Sequence, residues 1–204
     1  MVRNTLSKKD LKELREAAEE TFGSKRNLFF LAGLTALVLL TIGAFSIFIT
    51  AGNKSFTPNQ RGPLPVGSQA PDFTTETIDG GNVSLGDAGG KEATMLVFFA
   101  SWCPHCNKEA PIISELEGEY ENLRVIMLGI DGKDDSEKVR EFVDRYGIEG
   151  PAAYDPSLGS TYRASGYPTI YVIDSNQEIV AARSGETPKS DLEGWIDEAL
   201  DGSG

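Results

Sequence analysis

The 204-residue sequence has little with which to bind a metal ion or build a disulfide scaffold, because it contains two cysteines and one histidine. A structural zinc site needs four such ligands, so these three residues cannot complete one within a single chain. A small disulfide-stapled fold needs several bridges, which two cysteines cannot form. We therefore expect no metal and no cofactor. The cysteines can still form a redox pair, form one structural bridge, or remain inert thiols.

Positive charge is also scarce, since 19 Lys and Arg residues face 31 Asp and Glu residues and the net charge is −12. A nucleic-acid-binding protein needs a basic surface to meet the phosphates, so this class of function is excluded. The hydrophobic content of 40% and charged content of 25% are typical of a chain with a packed core. The length leaves room for one domain of ordinary size and a smaller segment.

One segment lacks charge altogether, because no charged residue occurs from position 27 to position 53. A helix over the apolar run at 28–51 would be about 36 Å long, which is enough to cross a hydrocarbon core of about 30 Å. We therefore predict a transmembrane helix at residues 27–52 that contacts the lipid bilayer through residues 28–51. Cleavage at the small residues 50–52, as in a signal peptide, remains an alternative.

Basic residues are distributed unevenly around this predicted span. Residues 1–26 carry seven Lys and Arg residues, whereas the twenty residues after the span carry Lys54 and Arg61 alone. The positive-inside rule then makes residues 1–26 a cytoplasmic tail and places the rest of the chain outside. A linker rich in proline and glycine at 53–66 leads to a folded domain at 67–204. The expected protein crosses the cell membrane once, with an extracytoplasmic domain.

Strand and helix patterns alternate from about residue 68 onward. The predicted strands are 73–77, 83–85, 93–100, 123–130, 169–173 and 178–183. The predicted helices are 104–121, 136–146 and one that begins at Pro188. The first two strands flank Asp79, Gly80 and Gly81, which is a hairpin signal. A βαβ unit followed by a second hairpin and a helix predicts a two-layer α/β fold.

Both cysteines lie in Trp102-Cys103-Pro104-His105-Cys106, between a predicted buried strand and a predicted helix. Unpaired N–H groups at the helix N-terminus favour the reactive thiolate form of Cys103, and Pro104 suits the first helical turn. The spacing lets Cys106 close a reversible disulfide. Positive charge on His105 would stabilise the reduced form and make the couple more oxidising. This context favours a redox pair over a structural bridge, since closing so small a loop stabilises little.

Another proline stands directly before the predicted strand at 169–173, in Gly166-Tyr167-Pro168-Thr169. Within sheets, proline is confined to positions such as the first residue of a strand. A cis peptide bond here would turn the backbone of Tyr167 toward the sulfurs, where it could pair with an extended substrate segment. The residues alone slightly favour an ordinary trans proline in a loop.

Five stretches of sequence occur together in this order. They are VGSQAPDF at 66–73, VFFASWCPHC at 97–106, EAP at 109–111, GYPT at 166–169 and YVID at 171–174. Together they resemble the membrane-anchored thioredoxin-like family of TlpA and ResA type, over residues 66–200. The resemblance implies a thioredoxin fold, in which helices flank a central mixed sheet, with an added N-terminal β-hairpin and an inserted helix at 135–147.

The resemblance also implies roles for individual residues. Cys103 would be the attacking thiol and Cys106 the resolving thiol. The substrate would contact Trp102, Tyr167 and Pro168, the last as a cis-proline, while Pro104 and His105 would tune the redox couple.

Two departures from familiar patterns affect these roles. Classical thioredoxins keep a buried Asp in the strand before the cysteines, where this chain has Val97. Glu109 matches a Glu of the ResA-like group and lies one helical turn beyond Cys106, so we expect it to accept the proton of Cys106. The other departure is the Pro-His dipeptide, which resembles that of the DsbA-type oxidase.

The resemblance therefore implies an extracytoplasmic thiol–disulfide oxidoreductase that reduces disulfides in client proteins, with apocytochrome c as a candidate. A separate membrane protein would have to supply electrons, because the predicted span has neither a cysteine nor a charged residue. Two alternatives stay open. One is an oxidase that donates disulfides, and the other is a non-catalytic binding module with a thioredoxin fold.

Overall fold

A computed structural model describes residues 62–202 apart from Ala88, together with Lys9, Lys12, Glu13 and Glu16. The chain divides into two compact units, Met1–Asn59 and Gln60–Gly204. The predicted transmembrane helix, and all but four residues of the predicted cytoplasmic tail, lie outside the described residues. No helix among the residues described is both long and apolar enough to cross a membrane.

The described part of the second unit contains seven strands and four helices. The strands are β1 (Thr74–Glu76), β2 (Asn82–Ser84), β3 (Ala93–Phe99), β4 (Leu123–Gly129), β5 (Ala152–Tyr154), β6 (Thr169–Ile173) and β7 (Ile179–Ser184). The helices are α1 (Pro104–Glu119), α2 (Ser136–Tyr146), α3 (Pro156–Thr161) and α4 (Lys189–Asp201).

Five strands form one mixed sheet in the order β5-β4-β3-β6-β7. Strand β3 runs parallel to β4 and antiparallel to β6, while β4–β5 is parallel and β6–β7 antiparallel. Strands β1 and β2 form a separate antiparallel hairpin. The predicted central mixed sheet and N-terminal hairpin are therefore confirmed.

The long apolar run in the sequence forms the middle strand, β3, and all seven residues of this strand are buried. Successive side chains of a strand point to opposite faces. Met95, Val97 and Phe99 pack into the core that also receives α1, α2 and α4. Leu96 and Phe98 pack into a second core together with residues of β2 and α3. A strand covered on both faces has no need of polar residues.

The predicted inserted helix is confirmed as α2, and its two ends have identifiable causes. The Asp135 side chain accepts a hydrogen bond from the Lys138 N–H and so caps the N-terminus. Gly147 ends the helix with a left-handed backbone conformation at φ 64°, which glycine adopts without steric cost.

Strand β5 and helix α3, which have three and six residues, were not predicted from the sequence. Strands β1 and β2 have three residues each but flank a hairpin signal. No hairpin signal flanks β5 or α3, and both are too short to show a period. Gly150 allows β5 to lie close to β4, since a Cβ atom at this position would come within 2.2 Å of the Val125 carbonyl oxygen. Helix α1 was also predicted two residues too long, because it ends at Glu119.

The segment leading into the domain is bonded to the sheet. The Gly67 N–H donates to the Ile179 carbonyl at 2.8 Å, and the Ile179 N–H donates to the Ser68 carbonyl at 2.9 Å. Leu64, which falls within the predicted linker, donates its N–H to the Tyr171 hydroxyl at 2.8 Å. This segment therefore covers the edge of the sheet at the start of β7, which would otherwise present unpaired backbone groups.

Candidate active site

Sheet topology brings three separate parts of the chain to one edge of the central sheet. Strands β3 and β4 are parallel and both end there, while β6 is antiparallel to β3 and begins there, with Thr169 opposite Phe98. Cys103, Asp131 and Tyr167 lie on the segments that extend beyond these three strand ends. The two cysteines are therefore placed beside residues that are distant in sequence.

Cys103 is the residue that precedes the first turn of α1, and Pro104 is the first helical residue, as predicted. The Cys103 thiol donates to the Tyr167 carbonyl oxygen at 3.5 Å, and Cys103 is 5% exposed. The Tyr167–Pro168 peptide bond is cis. The interpretation of Pro168 as a trans proline was therefore wrong, and the conformation implied by the family resemblance is the one observed.

Cys106 lies within the first turn of α1, and both cysteines are buried free thiols. Burial raises the pKa of the Cys106 thiol, and a hydrogen bond with the Cys103 thiol and the nearby Glu109 carboxyl group raise it further. Cys106 therefore keeps its proton at neutral pH. It can act as a nucleophile only when a base removes that proton.

Glu109 is the buried acid closest in sequence to this thiol, with 2% of its surface exposed. Its Oε1 atom accepts a hydrogen bond from the Thr187 N–H at 2.7 Å, while its Oε2 atom has no hydrogen-bond partner. Burial raises the pKa of Glu109 to about 7, although the hydrogen bonds from Thr187 oppose this change. A carboxyl group with a pKa near the working pH is well suited to accept and return a proton.

Classical thioredoxins have a buried Asp in the strand before the cysteines. In this chain Val97 occupies that position at the centre of β3, and its side chain packs in the apolar core. Glu109 instead lines a groove of about 330 Å³ on the surface of the domain. The other residues lining this groove are Lys108, Ile112, Glu186, Thr187 and Pro188.

Trp102 and Tyr167 form an aromatic surface next to Cys103. Their rings meet edge to face, with centroids 6.2 Å apart, and 51% of Trp102 is exposed. Asp131 accepts hydrogen bonds from the Trp102 indole at 3.1 Å and the Tyr167 hydroxyl at 3.3 Å. The Lys133 ammonium group lies 4.9 Å from the centre of the Trp102 ring. One carboxylate therefore orients both aromatic side chains.

Asp134 and Asn107 hold the backbone around Cys103. The buried Asp134 carboxylate accepts hydrogen bonds from the Ser101 N–H at 2.8 Å and the Ser101 hydroxyl at 2.6 Å. The Asn107 amide donates to the carbonyl oxygens of Ser101 and Cys103 and accepts from the Tyr146 hydroxyl. These contacts fix the loop between β3 and α1.

Asp131, Asp134 and Asn107 were not predicted from the sequence. The two aspartates follow a predicted buried strand. Functional residues collect beyond the carboxyl ends of parallel strands, so this rule could have predicted both aspartates as site residues. Asn107 had no such signal, because its partner Tyr146 comes from another helix.

His105 is exposed over 59% of its side chain, and its Nδ1 atom lies 2.5 Å from Glu186 Oε1. The same carboxylate oxygen lies 3.1 Å from the Lys108 ammonium group. No feature of the sequence indicated Glu186, because it is 81 residues from His105.

Within the described part of the chain, no group of three or more His, Cys, Asp and Glu side chains could hold a metal ion. The reactive groups that this arrangement brings together are the two thiols of Cys103 and Cys106 and the carboxyl group of Glu109.

Comparison with known proteins assigns the family. Residues 66–182 match the family model described as AhpC/TSA. The chain belongs to the AhpC/TSA family. The thioredoxin-like protein YneN of Bacillus subtilis (strain 168) is 32% identical over 171 residues, covering 82% of this chain and 96% of YneN. The thiol-disulfide oxidoreductase ResA of Bacillus thuringiensis (strain Al Hakam) is 29% identical, covering 80% of this chain and 94% of ResA.

A solved structure extends the comparison to the fold. A thiol:disulfide interchange protein DsbE candidate from Chlorobium tepidum superposes with a TM-score of 0.60 and 29% identity, covering 67% of this chain and 99% of that protein. The thioredoxin fold predicted from the sequence is confirmed. The recognition of a thiol–disulfide oxidoreductase of the ResA type is confirmed as well.

The pKa of Glu109 predicts how the stability of the domain depends on pH. Folded Glu109 keeps its proton up to about pH 7, whereas the unfolded chain releases it near the ordinary value of 4.5. Between these values the unfolded state binds fewer protons, so stability falls as the pH rises. We expect the free energy of unfolding of the native chain to fall by about 3 kcal/mol, relative to a Glu109→Gln variant, between pH 4 and pH 8.

Denaturant titrations followed by tryptophan fluorescence measure this difference, since both tryptophans of the chain lie in this domain. Glu119→Gln is the control, because Glu119 is an exposed residue at the other end of α1. This control should follow the native chain. Parallel curves for the native chain and Glu109→Gln would contradict the prediction.

Proposed function

We propose that this protein is an extracytoplasmic thiol–disulfide oxidoreductase, tethered to the cell membrane by one helix, that reduces disulfides in client proteins. The observation that carries the proposal is the free dithiol at the N-terminus of α1, where the Cys103 thiol faces the carbonyl group of the cis Tyr167–Pro168 bond. The relatives named as thiol–disulfide oxidoreductases support the same chemistry.

The reaction begins when the Cys103 thiolate attacks one sulfur of a client disulfide. A bond forms between Cys103 Sγ and that sulfur, the client disulfide breaks, and the second client sulfur leaves as a thiolate that takes up a proton. Cys103 is the thiol at the N-terminus of α1, next to the carbonyl group of Tyr167.

The second step releases the client. Glu109 accepts the proton of Cys106, the Cys106 sulfur forms a bond to Cys103 Sγ, and the bond between Cys103 Sγ and the client sulfur breaks. The client sulfur leaves as a thiolate and takes up the proton that Glu109 returns. The client has gained two electrons and two protons, and the chain holds a Cys103–Cys106 disulfide. A membrane protein with a reduced dithiol then returns two electrons and two protons to this disulfide.

Client docking follows from the groups around Cys103. An extended client segment would pair with the backbone at Tyr167, next to Pro168, in the manner of an added strand. The exposed ring of Trp102 would contact the apolar side chains of that segment. The resemblance to the ResA-like group makes apocytochrome c the leading candidate client.

The direction of electron flow is predicted from the reduction potential of the Cys103–Cys106 couple. Equilibration of the full-length chain in detergent with thiol–disulfide buffers measures this quantity. We expect a value at or below about −250 mV, at which the couple is a reductant and needs an electron donor. A value between about −120 and −150 mV would instead support the disulfide-donating oxidase suggested by the Pro104-His105 dipeptide.

A trapping variant tests the reaction and identifies clients. Cys106→Ser removes the resolving thiol, so mixed disulfides between Cys103 and clients should accumulate in cells and survive acid quenching. Mass spectrometry of the trapped species should identify apocytochrome c. Cys103→Ser is the control and should trap nothing. If Cys106→Ser traps nothing and Cys103→Ala keeps full biological activity, the chain is a binding module.

The proposed topology is tested by reporter fusions to the full-length chain. Alkaline phosphatase fused after Gly202 should be active, because it matures outside the cytoplasm, and green fluorescent protein at the same position should be dark. Fusions after Arg26 should show the opposite pattern. Fluorescence from the fusion at Gly202 would contradict an extracytoplasmic domain.

A further inference from the structure

Glu186 connects the segment after β7 to the first turns of α1. Its Oε1 atom lies 2.5 Å from His105 Nδ1 and 3.1 Å from Lys108 Nζ. The next residue, Thr187, is 3% exposed and donates its N–H to Glu109 Oε1 at 2.7 Å. Two consecutive residues therefore hold this segment against α1, one through exposed charges and one through a buried hydrogen bond.

The segment held in this way is one wall of the groove beside Glu109. Residues 186–188 form that wall, and α1 provides Lys108, Glu109 and Ile112 on the opposite side. The segment turns away from β7 at Gly185, where φ is 98°, and enters α4 after Pro188. Access of water to the Glu109 carboxyl group therefore depends on how closely this wall lies against α1.

We propose that Glu186 is a positioning residue for Glu109, because its contacts with His105 and Lys108 hold residues 185–188 against α1 and keep water from the buried carboxyl group. This positioning role rests on the proposed function, in which Glu109 accepts the proton of Cys106. Glu186 itself does not touch the reacting sulfurs in this proposal.

Several charged groups act on Glu109 from the elements packed around it. Cys106 lies beside it on α1, Glu186 raises its pKa from the wall, and Arg183 on β7 lowers its pKa. The guanidinium group of Arg183 is itself paired with Asp191 of α4 at 2.8 Å. Of these groups, Glu186 is the acid that also holds the wall in place.

Removing the charge of Glu186 has three consequences that all favour ionised Glu109. A neighbouring negative charge disappears, His105 and Lys108 lose a counter-charge, and water gains access to the carboxyl group. We therefore expect Glu109 to ionise at a lower pH and to become a weaker base. Attack by Cys106 on the mixed disulfide should then slow at neutral pH.

The test is a titration of Glu109 in the full-length, reduced chain in detergent. Carbon NMR of side-chain carboxyl groups, with ¹³C-labelled glutamate, follows each midpoint from pH 4 to pH 9, and Glu109→Gln assigns the resonance. We expect the native midpoint near 7. It should fall by about 0.5 pH unit in Glu186→Gln and by about one unit in Glu186→Ala, which also removes the contacts.

The matched control is Glu119→Gln, which removes an exposed glutamate that is paired with Lys189 at the other end of α1. Its Glu109 midpoint should equal that of the native chain. A native titration in 1 M NaCl needs no substitution and should also lower the midpoint, since salt screens the exposed contacts of Glu186. Unchanged midpoints in both Glu186 variants, or in high salt, would overturn the proposal.

A rate measurement separates this inference from the proposed function. The release of a preformed mixed disulfide on Cys103 should slow in Glu109→Gln at every pH, and in Glu186→Gln mainly above pH 6. If Glu109→Gln releases the client at the native rate, the role of Glu109 in the proposed function fails. A shifted midpoint in the Glu186 variants would still support the positioning role.

Discussion

The pairing of β3 with a neighbour on each side is the constraint on which the rest of the structure depends. Seven residues of β3 are in register with β4 and five with β6, and all seven β3 side chains are buried. Burial of this apolar strand stabilises the domain, with each large side chain contributing about 1.5–3 kcal/mol. The same pairing aligns the ends of β3 and β4 with the start of β6. Without this alignment, Cys103 and Tyr167 would not meet.

Burial has a different effect on the polar groups at this edge. It raises the pKa of Cys106, so this thiol needs a base at neutral pH. It also raises the pKa of Glu109 to about 7, where a carboxyl group can accept a proton and return it. Glu109 Oε2 is buried without a hydrogen-bond partner, and an ionised carboxylate there is costly. In the proposed mechanism Glu109 supplies the base in place of the buried Asp of classical thioredoxins, whose position is occupied by Val97.

Two different arrangements lie next to the dithiol. In one, Asp131 orients Trp102 and Tyr167 through direct hydrogen bonds, which forms an exposed aromatic surface. In the other, Glu186 and Thr187 line a groove beside a buried acid. In the proposed reaction the first arrangement contacts the client and the second transfers a proton.

The sequence by itself determined the local features of this protein. The apolar run of β3, the caps of α2 and the placement of the cysteines between a strand and a helix all depend on residues close together in the chain. Family resemblance added the cis form of Pro168, which the residues alone did not favour. The short elements β5 and α3 were not predicted, because they have too few residues to show a period and lack the hairpin signal that revealed the equally short β1 and β2.

Tertiary structure alone decided which distant groups meet at the dithiol. Asp131 reaches Trp102 across 29 positions of the chain, and Thr187 reaches Glu109 across 78. Such contacts depend on strand order, register and packing, which no local pattern encodes. The burial of Glu109, and with it the pKa of Glu109, is likewise a property of the surrounding fold, because a helix sequence specifies a face but not what covers it.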